Sequence, residues 1–302
     1  MKKIAIASGK GGTGKTTVSV NLYYFINKFV SQNVQLVDCD VEEPNDLLFF
    51  NKAEEQKKET INQMIPRIDN DKCTYCRKCV EWCEYNAIVV IPPVKFAEVN
   101  PSLCHSCGAC LVACEYDAMK EYPEPIGEVT FYKTDEGRGL AEGRLKIGSA
   151  MQTMLIKELK NRVPDDVDWV LFDSPPGTSC PVVETVSDAD YILLVTEPTP
   201  FGLHDLKLMV EMLKEIKQPF GVIINKAGLG NDEVYKYLKK EDIEIIGEIP
   251  FDKAYASKYA GGNLLKDISP ETEKRYKEII EKLKIKLGIK TSGTGEDKEG
   301  EQ

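Results

Sequence analysis

The run Gly9-Lys10-Gly11-Gly12-Thr13-Gly14-Lys15-Thr16 limits what this chain can fold into more than any other segment. It fits G-x-x-x-x-G-K-S/T, in which glycines leave backbone N–H groups free to converge on phosphate oxygens. Lys15 supplies a point charge to the β- and γ-phosphates, and Thr16 supplies a hydroxyl for Mg2+, with Thr17 beside it. Context separates this from an ordinary glycine-rich turn. A short strand pattern, residues 3–8 (KIAIAS), precedes the loop. An amphipathic helix follows from about Thr16 to Phe29, then an apolar strand at 34–38 (VQLVD). Strand, loop, helix and strand open a parallel sheet.

The same pattern returns after Pro125. A helix is expected at 149–162, strands at 168–173, 191–196, 220–225 and 243–249, and helices at about 203–217 and 231–240. A last helix runs from about Pro270 to Leu287. The strands are continuous apolar runs, as needed where both sheet faces are covered. The expected fold is α/β, a doubly wound and mostly parallel sheet. Residues 51–60 (NKAEEQKKET) read as a solvated surface leading into an insert, and residues 289–302 as a disordered tail. That tail lacks the basic amphipathic face of a membrane anchor.

The insert carries eight of the ten cysteines. A shift of 31 residues superimposes Cys73, Cys76, Cys79 and Cys83 on Cys104, Cys107, Cys110 and Cys114. The flanks follow, Glu84-Tyr85-Asn86-Ala87 falling on Glu115-Tyr116-Asp117-Ala118, which defines a pseudo-two-fold module. C-x2-C-x2-C-x3-C occurring twice resembles the bacterial two-cluster ferredoxins, whose fourth cysteine serves the other cluster. The resemblance implies Cys73, Cys76, Cys79 and Cys114 around one 4Fe–4S cluster and Cys104, Cys107, Cys110 and Cys83 around a second. Zinc prefers two C-x2-C pairs per site and fits this spacing poorly. The ferredoxin pattern usually ends in C-P; here Glu84 and Glu115 follow the fourth cysteines, and a carboxylate there would lower the reduction potential. The domains expected are a phosphate-loop domain at 1–63 and 124–288, interrupted by a ferredoxin-like α+β insert at 64–123.

Composition narrows the function classes. The formal charge of −10 is a poor match to nucleic acid, so no nucleic-acid partner is expected. No apolar run reaches the ~18 residues of a membrane span. The N-terminus reads as a first strand, not a signal peptide. Clustered cysteines in such a chain point to metal binding in a reducing cytoplasm.

Lys10 lies inside the loop, giving K-G-G-T-G-K-T, which resembles the deviant Walker A motif of the MinD/ParA/nitrogenase-iron-protein group of P-loop ATPases. That resemblance implies a lysine that reaches across a nucleotide-sandwich dimer to the partner's ATP; the plainer alternative is that Lys10 only adds local positive potential. Leu36-Val37-Asp38-Cys39-Asp40 resembles the group's switch I, which implies Asp38 and Asp40 near Mg2+ and the attacking water. The segment from Trp169 to Gly177 resembles its Walker B and switch II, with Asp173 holding Mg2+ through water and Gly177 donating its N–H to the γ-phosphate. Ile223-Ile224-Asn225-Lys226 resembles the adenine-reading segment, and Ile249-Pro250-Phe251-Asp252 the loop on the other side of the base.

Of the two remaining cysteines, Cys39 follows a buried strand and reads as a core residue. Cys180 lies seven residues after Asp173, where the nitrogenase iron protein has a cluster ligand. No cysteine lies between Cys114 and Cys180 to supply a second ligand, so Cys180 is either structural or a redox or transient cluster residue. Taken together, the sequence predicts an ATPase with ATP or ADP, Mg2+ and two 4Fe–4S clusters as cofactors. It would gate electron transfer to a redox partner as a homodimer or a heterodimer with a related ATPase. The alternative is a scaffold or carrier that passes clusters to an apo-protein acceptor. A surface-positioning protein is a third class, disfavoured by the absent anchor and the eight ligand cysteines.

Overall fold

The structure, a computed structural model, describes residues 1–135 and 137–289. Alternation along the first strand, β1 (Lys2–Ala7), sets the layers. Ile4 and Ile6 pack into one apolar layer, while Ala5 and Ala7 pack into another on the opposite sheet face. The chain turns through the glycine loop into α1 (Lys15–Phe29) and returns as β2 (Val34–Asp38). It then runs out along β3 (Glu54–Ile68), forms α2 (Lys78–Glu81), β4 (Ile88–Ile91), β5 (Phe96–Val99) and α3 (Ala109–Ala113), and comes back along β6 (Met119–Lys133). The remainder alternates: β7 (Gly139–Leu145), α4 (Gln152–Lys160), β8 (Trp169–Asp173), α5 (Cys180–Val186), β9 (Tyr191–Thr196) and α6 (Pro200–Glu215). It closes with β10 (Phe220–Ala227), α7 (Glu233–Lys240), β11 (Ile245–Pro250), α8 (Lys253–Ala260) and α9 (Pro270–Lys286).

Nine strands form the main sheet in the order β11-β10-β9-β1-β8-β2-β7-β6-β3. From β11 to β7 every neighbouring pair is parallel, and β6 and β3 are added antiparallel at one edge. Residues of α1 and α9 fill one face, where Phe25 stacks on Tyr276; α4, α5, α6 and α7 cover the other. Full burial of such a side chain contributes about 1.5–3 kcal/mol. β1 leads through α1 to β2 on one side, and β8 leads to β9 on the other, so the end of β1 is a switch point where α/β sheets bind ligands.

The strands expected from apolar runs are all present, and the main helices lie within a few residues of their expected ends. The charged run at 51–60 differs, because most of it is the first half of β3. Its side chains are exposed as expected, but β3 is the last strand of the sheet, where charge discourages further pairing. β6 and β7 were hidden by Pro123, Pro125 and Gly139, and the register slips opposite those prolines, between Ile61 and Asn62. α5 and α8 lie where no helix was expected. The expected tail at 289–302 falls outside the described residues except for Ile289, which packs against the α1–α9 layer.

β3 and β6 pair along nearly their whole length, as a ribbon that begins in the sheet and ends under the cysteines. There β4 and β5 form a separate two-stranded sheet. A third apolar cluster gathers Ile65, Ile88, Val90, Val99 and Met119 with the buried Cys104 and Cys110. The 31-residue repeat is visible in the backbone. Tyr75, Arg77 and Asn86 have positive φ, and so do their counterparts Ser106, Gly108 and Asp117.

Candidate functional site

α1 begins at Lys15 because Gly14 adopts φ +92, a left-handed turn that L side chains rarely make. A Cβ on Gly14 would lie 2.1 Å from Asn225 Nδ2, so the loop and the end of β10 touch backbone to side chain. Register brings the acids in from either side. Asp173 ends β8 beside Ile6 of β1, and Asp38 pairs with Asp173 across β2 and β8. Lys15 Nζ lies 3.1 Å from Asp173 Oδ1. Thr16 Oγ1 and Ser19 Oγ each donate to Asp173 at 2.9 Å. Burial works against the Lys15 ammonium, but the charge and hydrogen bond of Asp173 outweigh it and hold its pKa raised.

Asp38 accepts the backbone N–H groups of Asp40, Asn45 and Asp46 at 2.8–3.0 Å. Burial, with the charge of Asp173, pushes its carboxyl up to about 7. Asp40, at the rim, is pushed up to about 6, first by burial. Asp46 was not anticipated from the sequence. It is fully buried, and neither of its carboxylate oxygens has a hydrogen-bond partner. One carboxylate oxygen from each of Asp38, Asp46 and Asp173 lies within 4.8 Å of the others. Burial, then the charge of Asp38, drives the Asp46 carboxyl well above its ordinary range. The only sequence signal was a third aspartate soon after Asp38-Cys39-Asp40, beyond Glu42 and Glu43. An orphaned buried carboxylate beside two others fits a divalent cation, which hard oxygen ligands hold.

Lys10 is tied back on its own chain. Its Nζ lies 2.7 Å from Glu197 Oε1, while Lys226 Nζ lies 2.8 Å from Glu197 Oε2. Glu197 is a second residue the sequence did not single out. Burial opposes its charge, yet the hydrogen bonds from Lys10 and Lys226 hold its pKa lowered. Gly177 N–H is donated to Ser8 O at 2.9 Å, not held free for a phosphate.

Asn225 donates to Thr13 O at 2.7 Å and Lys226 to Gly12 O at 3.0 Å. Both line a cavity of about 190 Å³ together with Gly14, Thr17, Pro250, Phe251 and Asp252. Tyr255 and Tyr259 of α8 complete it. Asp252 also caps α8, accepting from Ala254 N at 2.7 Å.

The cysteines sort into two recesses. Cys73, Cys76, Cys79 and Cys114 line one; Cys83, Cys104, Cys107 and Cys110 line the other. Each set is three neighbours plus the distant fourth from the other repeat. Among the described residues no three cysteine sulfurs lie mutually within 4.8 Å. Zn–S bonds of about 2.3 Å put the sulfurs of one zinc site about 3.8 Å apart, so these sets are too open for one ion. Each recess offers four sulfurs, the number of thiolates that a 4Fe–4S core takes. Tyr75 N–H is 3.4 Å from Cys73 Sγ and Ser106 N–H is 3.5 Å from Cys104 Sγ, a repeat-related pair of donors toward sulfur. Burial pushes the Cys110 thiol up to about 11. Tyr85 stacks on His105 at 3.8 Å. Glu115 pairs with Lys78, whereas Glu84 has no ion pair among the described residues. Cys39 is a fully buried core residue, and Cys180 is exposed at the start of α5.

A glycine loop at the end of β1, a lysine and hydroxyl on a strand-end aspartate, and a base-sized cavity define a P-loop nucleotide-binding protein. The model of the CobQ/CobB/MinD/ParA nucleotide-binding domain matches residues 4–265, and the chain belongs to that family. An uncharacterized protein of Methanocaldococcus jannaschii is 35% identical over 283 residues, covering 93% of this chain and 96% of its own. The iron-sulfur cluster carrier protein of Pyrococcus abyssi is 26% identical, covering 94% and 86%. The structure of septum site-determining protein MinD complexed with Mg-ADP, from Pyrococcus horikoshii, shares the fold at a TM-score of 0.58. It is 17% identical and covers 96% of this chain and 99% of its own. Among the described residues no helix is long and apolar enough to cross a membrane.

Proposed function

We propose that the chain hydrolyses ATP and couples the cycle to two 4Fe–4S clusters, as a nucleotide-gated electron-transfer protein that works as a dimer. The observation that carries this reading is the sorting of eight cysteines into two four-cysteine recesses at the end of strands shared with the nucleotide-binding sheet. In this reading residues 64–123 are the ferredoxin-like insert within the ATPase, 1–63 and 124–288.

The P-loop N–H groups and Lys15 hold the phosphates, and Asn225, Lys226 and the Pro250–Asp252 loop hold the base. Thr16 and Asp173 would hold Mg2+, which when bound offsets charge at the transferring phosphoryl group. Asp38 and Asp40 orient the attacking water. Lys10 leaves Glu197 to reach the partner protomer's nucleotide, and Gly177 leaves Ser8 to meet the γ-phosphate. The clusters would supply one-electron chemistry toward a redox partner in a reducing cytoplasm.

The second reading, a cluster carrier serving an apo-protein acceptor, is favoured by the carrier protein among the relatives. The buried Cys104 and Cys110, packed in an apolar cluster of their own, favour clusters that stay. The test is anaerobic EPR of the reduced full chain with and without Mg·ATP. Two low-potential signals that change with nucleotide and are not lost to an apo-acceptor are expected. Clusters that move to the acceptor support the carrier reading, and absence of iron or spectra indifferent to nucleotide overturn the coupling.

A further inference from the structure

Asp46 is the feature that the motifs leave unexplained. It stands outside the glycine loop and both strand-end segments, yet it is as buried as any core residue. Its backbone N–H is already committed to Asp38 at 3.0 Å, so the same short turn that delivers the acid also binds the neighbouring one. Neither of its oxygens accepts a hydrogen bond, and one of them lies within 4.8 Å of an oxygen of each of the other two carboxylates. By contrast, Asp38 accepts three backbone donors and Asp173 accepts Lys15, Thr16 and Ser19.

Charge makes the point sharper. Three buried carboxylates share one buried ammonium, Lys15, so the fully ionised group carries an excess of two negative charges away from water. An uncompensated buried charge is costly, and hydrogen bonds to Asp38 and Asp173 leave that of Asp46 untouched. A divalent cation cancels the excess exactly once. All-oxygen ligands within reach of one point select a hard ion over zinc or copper.

We propose that Asp38, Asp46 and Asp173 bind one hard divalent cation, Mg2+ or Mn2+, before any nucleotide arrives. None of these ligands is a phosphate, so this site differs from one that is completed only by Mg-nucleotide. The cation takes over from Lys15 the task of neutralising Asp173. Lys15 is then released from its 3.1 Å contact and can turn to the phosphates. Metal first and nucleotide second is the resulting order. The inference requires the phosphate-loop reading but neither the clusters nor hydrolysis.

The experiment uses the full-length chain, prepared anaerobically, stripped of nucleotide and metal, and titrated with Mn2+ while EPR reads the free ion. The wild-type chain is expected to bind one Mn2+ without nucleotide, and Asp46→Asn to weaken that binding about tenfold or more. Thermal unfolding supplies an independent readout. Mn2+ is expected to raise the melting temperature of the wild-type chain and hardly that of Asp46→Asn. A wild-type chain that takes up Mn2+ only once ADP or ATP is added overturns the proposal, whatever the variant does. So does an Asp46→Asn chain that binds Mn2+ as tightly as wild type. Loss of ATP hydrolysis with metal-first binding intact would refute the ATPase reading and leave this one standing.

Discussion

Lys10 and Lys15 sit five residues apart on one loop, and their surroundings give them different work. Lys15 is enclosed against Asp173, whereas Lys10 is part-exposed and held by Glu197. Lys15→Ala removes the charge proposed to meet the phosphates and leaves Asp173 without its ammonium. It is expected to weaken Mg·ATP binding by about 10–100-fold or more, since bonds to charged groups contribute about 1.5–3 kcal/mol. Lys10→Ala is expected to leave equilibrium binding largely intact and to remove stimulated hydrolysis. A fluorescent-nucleotide titration beside a phosphate-release assay separates the two. Normal hydrolysis by Lys10→Ala would exclude a sandwich dimer in which this lysine crosses to its partner. The acids make a pH prediction. Asp38 is pushed up to about 7 and Asp40 to about 6, from an ordinary 3.8. The folded chain therefore holds more protons than the unfolded chain between those values. Stability of the metal- and nucleotide-free protein falls as pH rises across that window. Urea unfolding in EDTA should give a lower midpoint at pH 8 than at pH 5, and Mg·ADP should reduce the difference.

At the scale of elements, legibility followed periodicity and burial. β1, β2, β8, β9 and β10 are short apolar runs covered on both faces, and their sequences say so without reference to neighbours. The glycine loop was equally legible, because it needs Gly14 at positive φ whatever surrounds it. β3 was not, because a strand at a sheet edge keeps its charged side chains in water and shows no apolar run over Glu54–Glu59. β6 carries two prolines that argue against a strand, and only its long pairing with β3 overrides them. The site divides in the same way. Cys-rich spacing and the loop motif name their residues in order along the chain. Asp46 and Glu197 belong to no spacing rule; they are functional candidates only because folding puts three carboxylates together and two lysines on one carboxylate.

Across the whole molecule, the sheet runs from the base-sized cavity at β10 and β11, through the phosphate end of β1, β8 and β2, to the ribbon that carries the cysteines. Two ties connect the switch I segment to the far side. Leu145 N–H donates to Val41 O at 2.8 Å, and Gln152 Nε2 donates to Glu42 at 2.6 Å. The loop between Leu145 and Gln152 in turn lines a cleft of about 140 Å³ with Pro101 and Ser102, just before Cys104. A shift of Asp38 and Asp40 on nucleotide exchange would have to cross that cleft, or follow the paired strands β3 and β6, to reach the nearer cysteine set. Coupling of this kind has to be measured, because adjacency alone does not establish it. Gln152→Ala breaks the side-chain tie on the surface and touches none of the residues proposed to hold nucleotide or cluster. Iron content and basal ATP hydrolysis are expected to stay near wild type, while the nucleotide-dependent change in the EPR spectrum shrinks, most for the cluster of Cys83, Cys104, Cys107 and Cys110. Cys107→Ser, which would perturb the proposed cluster of that set and not the other, assigns the signal. If the nucleotide effect survives Gln152→Ala at full size, the signal travels through the Leu145–Val41 backbone bond or through the shared strands, and the surface tie is only structural.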